Sequence, residues 1–202
     1  MKTIEYYFSP QSPWSYLGHE RLLAIAARHG AQVDPRPIAL SKVIFPNSGG
    51  VPLPQRAPQR QAYRLVELKR WSDYLGLPLN LHPKYFPVAD DEPATLMIAA
   101  AINQAGKGQA LGLMLAIYKA VWVEEKNIAD ADTLIAIADE CGLDGRALYD
   151  AQDDARALVD KNTKIAMERQ VFGAPWYVYD GESFWGQDRL VFLDRALAHA
   201  MT

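Results

Sequence analysis

The order of the hydrophobic patterns is the feature of this sequence that most constrains its fold. The chain opens with a β-type run at Thr3–Phe8, a helical pattern to about residue 29, and a second β-type run over residues 31–38. It closes with two short β-type runs, over residues 176–179 and 183–185, and a final helical pattern. Asp180-Gly181 between the two short runs is typical of a tight hairpin turn. These patterns predict a strand–helix–strand unit at one end and a strand–strand–helix unit at the other.

Residues 42–170 lie between these two units and show mainly helical periodicity. The predicted helices cover residues 59–75, 91–106, 109–123 and 153–170, with shorter helices that start at Asp130 or Asp132 and at Asp144. Loops are predicted over residues 46–58 and 79–89, which are rich in proline and other turn residues. Prolines in the second strand predict an edge position or a bulge.

The same order of elements, apart from the helical block, occurs in the thioredoxin arrangement. We therefore predict an α/β, thioredoxin-like fold with a large all-helical insertion between its βαβ and ββα halves. The predicted segments are residues 1–41 for the first half, 42–170 for the insertion domain and 171–202 for the second half.

The composition excludes several classes of function. Half of the 202 residues are apolar and the net charge is −3, which is typical of a globular protein with a sizeable core. The sequence has no basic stripe, no apolar run of membrane length and no apolar signal-peptide core. We therefore expect a cytoplasmic protein with neither nucleic acid nor membrane as a partner. The single cysteine, Cys141, and the four histidines show no ligand spacing, so no metal site is predicted.

Ser12 lies between the first strand and the first helix. A serine hydroxyl can accept a hydrogen bond from an unpaired N–H of the first helical turn, and Pro13 fits the first helical position. The hydroxyl would then stand at the positive end of a helix, where an anion is stabilised. Most N-cap serines only cap their helix, so this stretch alone does not predict catalysis.

Four short motifs follow one another along the chain. They are Ser12-Pro13-Trp14-Ser15-Tyr16-Leu17-Gly18, the stretch from Gly49-Gly50-Val51-Pro52 to Gly76-Leu77-Pro78, Phe172-Gly173-Ala174-Pro175, and Phe184-Trp185-Gly186-Gln187-Asp188-Arg189. Together they resemble the motifs of the 2-hydroxychromene-2-carboxylate isomerase family. This family is close to kappa-class glutathione transferases and more distantly similar to DsbA-type thiol oxidoreductases. The resemblance covers essentially the whole chain.

The resemblance implies a glutathione site around Ser12. Ser12 occupies the position of the attacking cysteine in the oxidoreductase relatives, so the reactive sulfur would come from bound glutathione and Ser12 would stabilise its thiolate. Ala174-Pro175 matches the family's cis-proline corner, which pairs with the cysteinyl part of glutathione, although valine is usual before this proline. The positions that match contacts to the γ-glutamyl end are Trp185, Gly186, Gln187 and Asp188. Without the resemblance, Asp188 is better explained as a helix cap.

The resemblance also implies substrate contacts at Lys42, Arg60 and Tyr85. Each of them is explained equally well as a solvated surface residue. The sequence departs from the family at Gly49-Gly50, where Gly-Asn is common, and at Ser9-Pro10-Gln11, which replaces an acidic residue and apolar residues. Both departures bear on which substrate is used.

The implied function is a glutathione-dependent isomerase of an aromatic carboxylated substrate such as 2-hydroxychromene-2-carboxylate. It would act by reversible addition and elimination of the thiolate, with Lys42 or its neighbours balancing the charge of the enolate. A kappa-like glutathione transferase or peroxidase would use the same site and consume glutathione. A non-catalytic thioredoxin-like binding module is a third alternative, since a fold does not fix a function. A disulfide oxidoreductase is disfavoured because no cysteine lies near Ser12. The resemblance further implies a homodimer.

Overall fold

The computed structural model describes residues 1–199, so the end of the predicted 171–202 segment lies outside the described residues. A four-stranded sheet is formed by the two ends of the chain, in the order β2-β1-β3-β4. Its strands are β1 (Thr3–Phe8), β2 (Gln32–Pro37), β3 (Trp176–Tyr179) and β4 (Glu182–Trp185). β1 runs parallel to β2 and antiparallel to β3, and β3 runs antiparallel to β4. This topology confirms the predicted thioredoxin-like α/β fold.

Apart from the short second helix, which lies mostly where a loop was predicted, the helices of the described residues agree with the predicted pattern to within a few positions. They are α1 (Pro13–Arg28), α2 (Phe45–Ser48), α3 (Pro58–Leu75), α4 (Glu92–Gln104), α5 (Lys107–Trp122), α6 (Ala131–Glu140), α7 (Gly145–Asp150), α8 (Gln152–Glu168) and α9 (Leu190–His199). Within residues 1–199, no helix is both long enough and apolar enough to cross a membrane.

The segment predicted as a loop over residues 46–58 contains short helical turns. A π-helical turn at Leu40–Ile44 continues directly into α2, and a 3₁₀ turn follows at Leu53–Gln55. The loop prediction was therefore wrong for part of this segment. Two of the prolines that suggested a loop, Pro46 and Pro54, lie in the first turns of α2 and the 3₁₀ turn, where a missing N–H is tolerated.

β1 is one of the two inner strands, and side chains on both of its faces are buried. Ile4, Tyr6 and Phe8 pack into the main core, and Tyr7 packs into a smaller cluster on the other face of the sheet. This alternation is the two-residue period of a strand. β2 lies at the edge of the sheet, as its prolines predicted, because an edge strand needs only half of its ladder bonds.

The helices of residues 42–170 share a core with the sheet. The main cluster of buried side chains includes Tyr6 of β1, Leu17 of α1, Met97 of α4, Trp122 of α5 and Leu193 of α9. These residues are 0% exposed. The insertion is therefore packed against the thioredoxin-like part through continuous apolar contacts and supplies one wall of the site described below.

Candidate active site

Ser12 caps α1 at the C-terminal end of β1. Its Oγ accepts a hydrogen bond from the backbone N–H of Ser15 at 3.2 Å, and Pro13 takes the first helical position. Serine satisfies an otherwise unpaired N–H there, and proline has no N–H to lose. The residue is only 8% exposed, so its hydroxyl lies at a nearly buried helix N-terminus that favours an anion.

A second loop reaches Ser12 from the far end of the chain. The Ala174-Pro175 peptide bond, just before β3, is cis, in agreement with the corner implied by the resemblance. The carbonyl oxygen of Ala174 accepts a long hydrogen bond of 3.4 Å from Ser12 Oγ. The carbonyl oxygen of Pro175 accepts a bond of 2.9 Å from the N–H of Gly186. The cis-proline loop is thereby tied to the turn that follows β4.

A side-chain network joins the loop before Ser12 to the helical insertion. Asp91 Oδ2 accepts hydrogen bonds from Ser9 Oγ at 3.1 Å and from Gln11 Nε2 at 2.9 Å. Gln11 Oε1 accepts a bond of 3.1 Å from the backbone N–H of Val88, next to a second cis peptide bond at Phe86-Pro87. Sequence reasoning missed this network, because polar loop residues 80 positions apart carry no periodic signal.

These loops enclose a cleft of about 580 Å³, lined by both Ser12 and Ala174. A volume of this order suits a small-molecule site. Much of the remaining wall is aromatic. Its rings belong to Trp14, Phe45, Phe86, Phe172 and Trp185. The rings of Phe172 and Trp185 pack edge to face, with their centroids 4.6 Å apart.

One wall of the cleft is strongly basic. Among the described residues, the charged side chains that line the cleft are all arginines, namely Arg56, Arg60 and Arg64. Arg60 and Arg64 share one face of α3 because they are four positions apart. None of the three forms an ion pair with a carboxylate of residues 1–199.

The charge on this wall is incompletely compensated. Burial, together with the charge of Arg56, lowers the pKa of Arg64 to about 10. Burial, together with the charge of Arg60, lowers the pKa of Arg56. Both shifts have the sign expected for partly desolvated cations that repel one another. The wall therefore favours an anionic ligand.

The predicted glutathione contacts fall into two groups. Ser12, Ala174 and Trp185 line the cleft, and Pro175 is buried. The remaining three, Gly186, Gln187 and Asp188, form the turn after β4, beside Trp185 but outside the cleft lining.

The side chains of that turn are engaged within the protein. Gln187 is 2% exposed, and its Oε1 accepts a hydrogen bond of 2.7 Å from Arg21 of α1. Asp188 pairs with Arg189 at 2.6 Å. The turn is thereby fixed against α1, and Trp185 is the member of this stretch that faces the cleft.

Of the three predicted substrate contacts, the structure brings only Arg60 to the cleft. Lys42 lies outside the cleft lining, where its Nζ pairs with Glu92 and, at 3.2 Å, with Asp90. Tyr85 is 38% exposed and also lies outside the lining, with Lys84 Nζ 5.0 Å from the centre of its ring. Position in the sequence located the loops, but the direction of each side chain depends on tertiary partners.

Cys141 ends α6 and packs against the main core. Burial and the neighbouring Glu140 raise the pKa of its thiol, so Cys141 is a poor nucleophile. It lies outside the cleft lining, so a reactive sulfur in the cleft would have to come from a ligand.

Comparison with known proteins gives consistent matches over nearly the full length of the chain. A model of the DSBA-like thioredoxin domain matches residues 3–198. A 2-hydroxychromene-2-carboxylate isomerase from Sphingobium xenophagum is 32% identical over 200 residues, which cover 97% of this chain and 98% of that protein. A glutathione S-transferase kappa 2 from Caenorhabditis elegans is 22% identical, with 94% and 88% covered.

The fold comparison agrees with the sequence comparison. A solved structure of a 2-hydroxychromene-2-carboxylate isomerase superimposes with a TM-score of 0.82 at 25% identity, covering 98% of this chain and 96% of that one. The chain therefore belongs to the DSBA-like thioredoxin-domain family and, within it, is a relative of the 2-hydroxychromene-2-carboxylate isomerases.

Proposed function

We propose that this protein is a glutathione-dependent isomerase of an aromatic carboxylated compound, with 2-hydroxychromene-2-carboxylate as the first substrate to test. The observation that carries the proposal is the nearly buried Ser12 hydroxyl at a helix N-terminus, facing an aromatic and basic cleft that contains no protein thiol among residues 1–199. The names of the relatives, an isomerase and a kappa glutathione transferase, support a glutathione-associated isomerase or transferase.

Ser12 would stabilise the thiolate of glutathione. Its oxygen already accepts a hydrogen bond from the N–H of Ser15, whereas its own proton is directed at the distant carbonyl oxygen of Ala174. That proton is weakly engaged and can turn toward a sulfur anion. A free thiol with a pKa of about 8.5 is mostly protonated at neutral pH, and the helix N-terminus together with a hydroxyl donor lowers this pKa.

The rest of the tripeptide would lie along the cis-proline loop and the turn after β4. Ala174 lines the cleft, and its backbone would pair with the cysteinyl part in the manner of an added strand. Trp185 and the turn of Gly186, Gln187 and Asp188 would contact the γ-glutamyl end. Gln187 is already bonded to Arg21, and Asp188 is already paired with Arg189. We therefore expect these two side chains to hold the turn in place, and its backbone to contact the ligand.

The proposed reaction regenerates glutathione. The thiolate adds to a conjugated carbon of the substrate, and the electron pair of the double bond moves to the conjugated carbonyl oxygen as an enolate. The former double bond is now single and rotates. Return of the electron pair expels the thiolate and restores the double bond in the new configuration. Lys42 is paired with Asp90 and Glu92. The cations that face the enolate would therefore be those of the arginine wall, formed by Arg56, Arg60 and Arg64.

A kappa-like glutathione transferase or peroxidase is the second candidate, because the Caenorhabditis elegans relative carries that name. It would use the same thiolate but would consume glutathione. A non-catalytic binding module would bind neither glutathione nor substrate productively.

The proposal also includes a homodimer and a cytoplasmic location, where glutathione is kept reduced. Size-exclusion chromatography with light scattering tests the dimer.

The first experiment is a titration of the purified protein with glutathione, followed by heat release and by thiolate absorbance across pH. Saturable binding with a lowered thiol pKa is the expected result. Turnover of 2-hydroxychromene-2-carboxylate is then followed while free thiol is counted. Isomerisation without loss of glutathione supports the proposal, whereas stoichiometric loss of glutathione favours the transferase. Absence of binding at millimolar glutathione overturns both.

A further inference from the structure

The arginine wall of the cleft has more positive charge than a single contact requires. Arg56, Arg60 and Arg64 all line the cleft, and among the described residues no aspartate or glutamate lines it with them. Uncompensated charge in a partly buried site is costly. Such a site is therefore explained more readily by a bound anion than by a structural role in the ligand-free protein.

Arg64 is held in a fixed orientation. Its guanidinium carbon lies 5.1 Å from the centre of the Phe86 ring and 5.8 Å from that of Trp122. These cation–π contacts position the guanidinium, while its N–H donors have no carboxylate or carbonyl acceptor within residues 1–199. A planar, oriented guanidinium with free donors matches the geometry of a carboxylate.

Arg56 is oriented by a different contact. Its Nε donates to the carbonyl oxygen of Val51 at 2.7 Å, and the side chain is half-buried. This hydrogen bond fixes the Nε end of the guanidinium and leaves its two terminal nitrogens free to bind a ligand. Arg60, by contrast, is exposed, and its side chain forms no hydrogen bond or ion pair within the described part of the chain.

We propose that Arg56 and Arg64 together bind the carboxylate of the substrate, and that Arg60 at the rim draws anions into the cleft without holding them. The inference rests on the proposed function for the identity of the substrate, but the binding itself can be tested without glutathione. It assigns the aromatic part of the substrate to the wall containing Phe86, because this ring already stacks on Arg64. The class of ligand is therefore a planar aromatic ring conjugated to a carboxylate.

The test uses cinnamate as a probe of this class and cinnamamide as its neutral analogue of the same shape. Both are titrated into the full-length protein without glutathione, by calorimetry and by quenching of tryptophan fluorescence. Cinnamate is expected to bind at least tenfold more tightly than cinnamamide. Equal affinities would overturn the inference.

Variants then separate the three arginines. Methionine keeps the apolar length of the side chain, so Arg56→Met and Arg64→Met are each expected to weaken cinnamate binding at least tenfold and to change cinnamamide binding less than twofold. Arg60→Met should leave the affinity within threefold and reduce the salt dependence of the association rate. Arg70→Met is the control, because Arg70 lies on the same helix, is exposed and pairs with Glu67 outside the cleft.

Two further results keep the inference distinct from the proposed function. If Arg64→Met fails to fold, Arg64→Lys keeps the charge but not the planar fork, and an intermediate loss of cinnamate affinity is expected. If the Arg56 and Arg64 variants lose glutathione affinity while cinnamate affinity is unchanged, the wall binds a carboxylate of glutathione and the inference is wrong. If the native protein binds no glutathione at all, the proposed function fails, whereas the cinnamate series still decides the role of the wall.

Discussion

Ser12 Oγ lies 3.4 Å from the carbonyl oxygen of Ala174, although the two residues are 162 positions apart in the chain. This distance is long for a hydroxyl donor, whose bonds to oxygen are usually about 2.7–2.8 Å. The lone pair of the same oxygen is engaged at 3.2 Å by the N–H of Ser15. Capping therefore uses the oxygen of Ser12 as an acceptor and leaves its proton for another partner.

Replacement of Ser12 by alanine should remove both the helix cap and the hydroxyl proton that would stabilise the thiolate. We expect a loss of about 1 kcal/mol in the free energy of unfolding, the usual cost of a lost cap, and a higher thiol pKa for bound glutathione. Turnover at neutral pH should fall, and the pH–rate profile should move to higher pH. The control is Asp144→Ala, which removes the cap of α7 outside the cleft lining. An unchanged thiol pKa in the Ser12 variant would exclude a role in thiolate stabilisation.

Gly18 is the point where α1 touches the turn after β4. A Cβ at this position would lie 2.8 Å from the hydroxyl oxygen of Tyr177 and 2.9 Å from the Cβ of Gln187. Gly18→Ala should therefore cost about 1–3 kcal/mol in unfolding free energy and displace the Gln187 turn, with weaker glutathione binding. Chemical denaturation and glutathione titration check both effects.

Gly112 supplies the matched control for that substitution. It is exposed on α5, and a Cβ there would meet nothing within 4 Å. Gly112→Ala should stabilise the protein by about 0.5–1 kcal/mol, because alanine loses less backbone entropy in a helix. A destabilised Gly112 variant with a native-like Gly18 variant would contradict the packing argument.

The sequence was most informative where local chemistry determines local structure. The Ser12 cap, the Asp180-Gly181 turn and the edge position of β2 were all predicted, because each depends on one or two residues and their neighbours. Asp180 and Gly181 indeed have φ angles of 49° and 79°, as a tight hairpin requires. The order of these elements was sufficient to predict the thioredoxin-like fold.

The sequence predicted the site less well where the site depends on long-range contacts. Lys42 follows the second strand, yet its ammonium group is turned to Asp90 and Glu92, which lie far along the chain. Arg64 was not singled out, because an arginine on an amphipathic helix usually indicates a solvated face. Arg56 was not singled out because it lies in a segment predicted as a loop. The cleft between α3 and the loop of Phe86 becomes visible only when the insertion is packed on the sheet.

The Asp91 network should affect activity more than its exposed surroundings suggest. Asp91→Ala removes the acceptor of Ser9 and Gln11 and frees the loop that leads to Ser12. We expect a loss of about 1–3 kcal/mol in unfolding free energy, since Ser9 is buried, and a lower kcat. Asp90→Ala is the control, because Asp90 is exposed and its carboxylate contacts Lys42 and the N–H of Glu92 instead of the loop that leads to Ser12; it should leave kcat near the native value. Equal effects on kcat in both variants would exclude a positioning role for the network.

His19 should make the stability of this protein depend on pH. The ring is 0% exposed, and its Nε2 lies 3.1 Å from the carbonyl oxygen of Leu111, which accepts the proton of a neutral imidazole. Burial lowers the pKa of His19 to about 4, whereas an unfolded histidine titrates near 6.5. Below pH 6.5 the unfolded chain therefore binds a proton that the folded protein does not. The stabilisation is complete above about pH 6.5 and is lost as the pH falls toward 4, by roughly 3 kcal/mol in total.

A variant without this titration tests the assignment. His19→Gln is less stable at neutral pH because its packing against Tyr6 and Tyr118 is lost, so the informative quantity is the slope of unfolding free energy against pH. Between about pH 4 and 6.5 this slope should be shallower in His19→Gln than in the native protein. His82→Gln, which alters an exposed histidine, is the control for the loss of an imidazole. If the His19 and His82 variants gave the same slope, the burial of His19 would not be the source of the acid sensitivity.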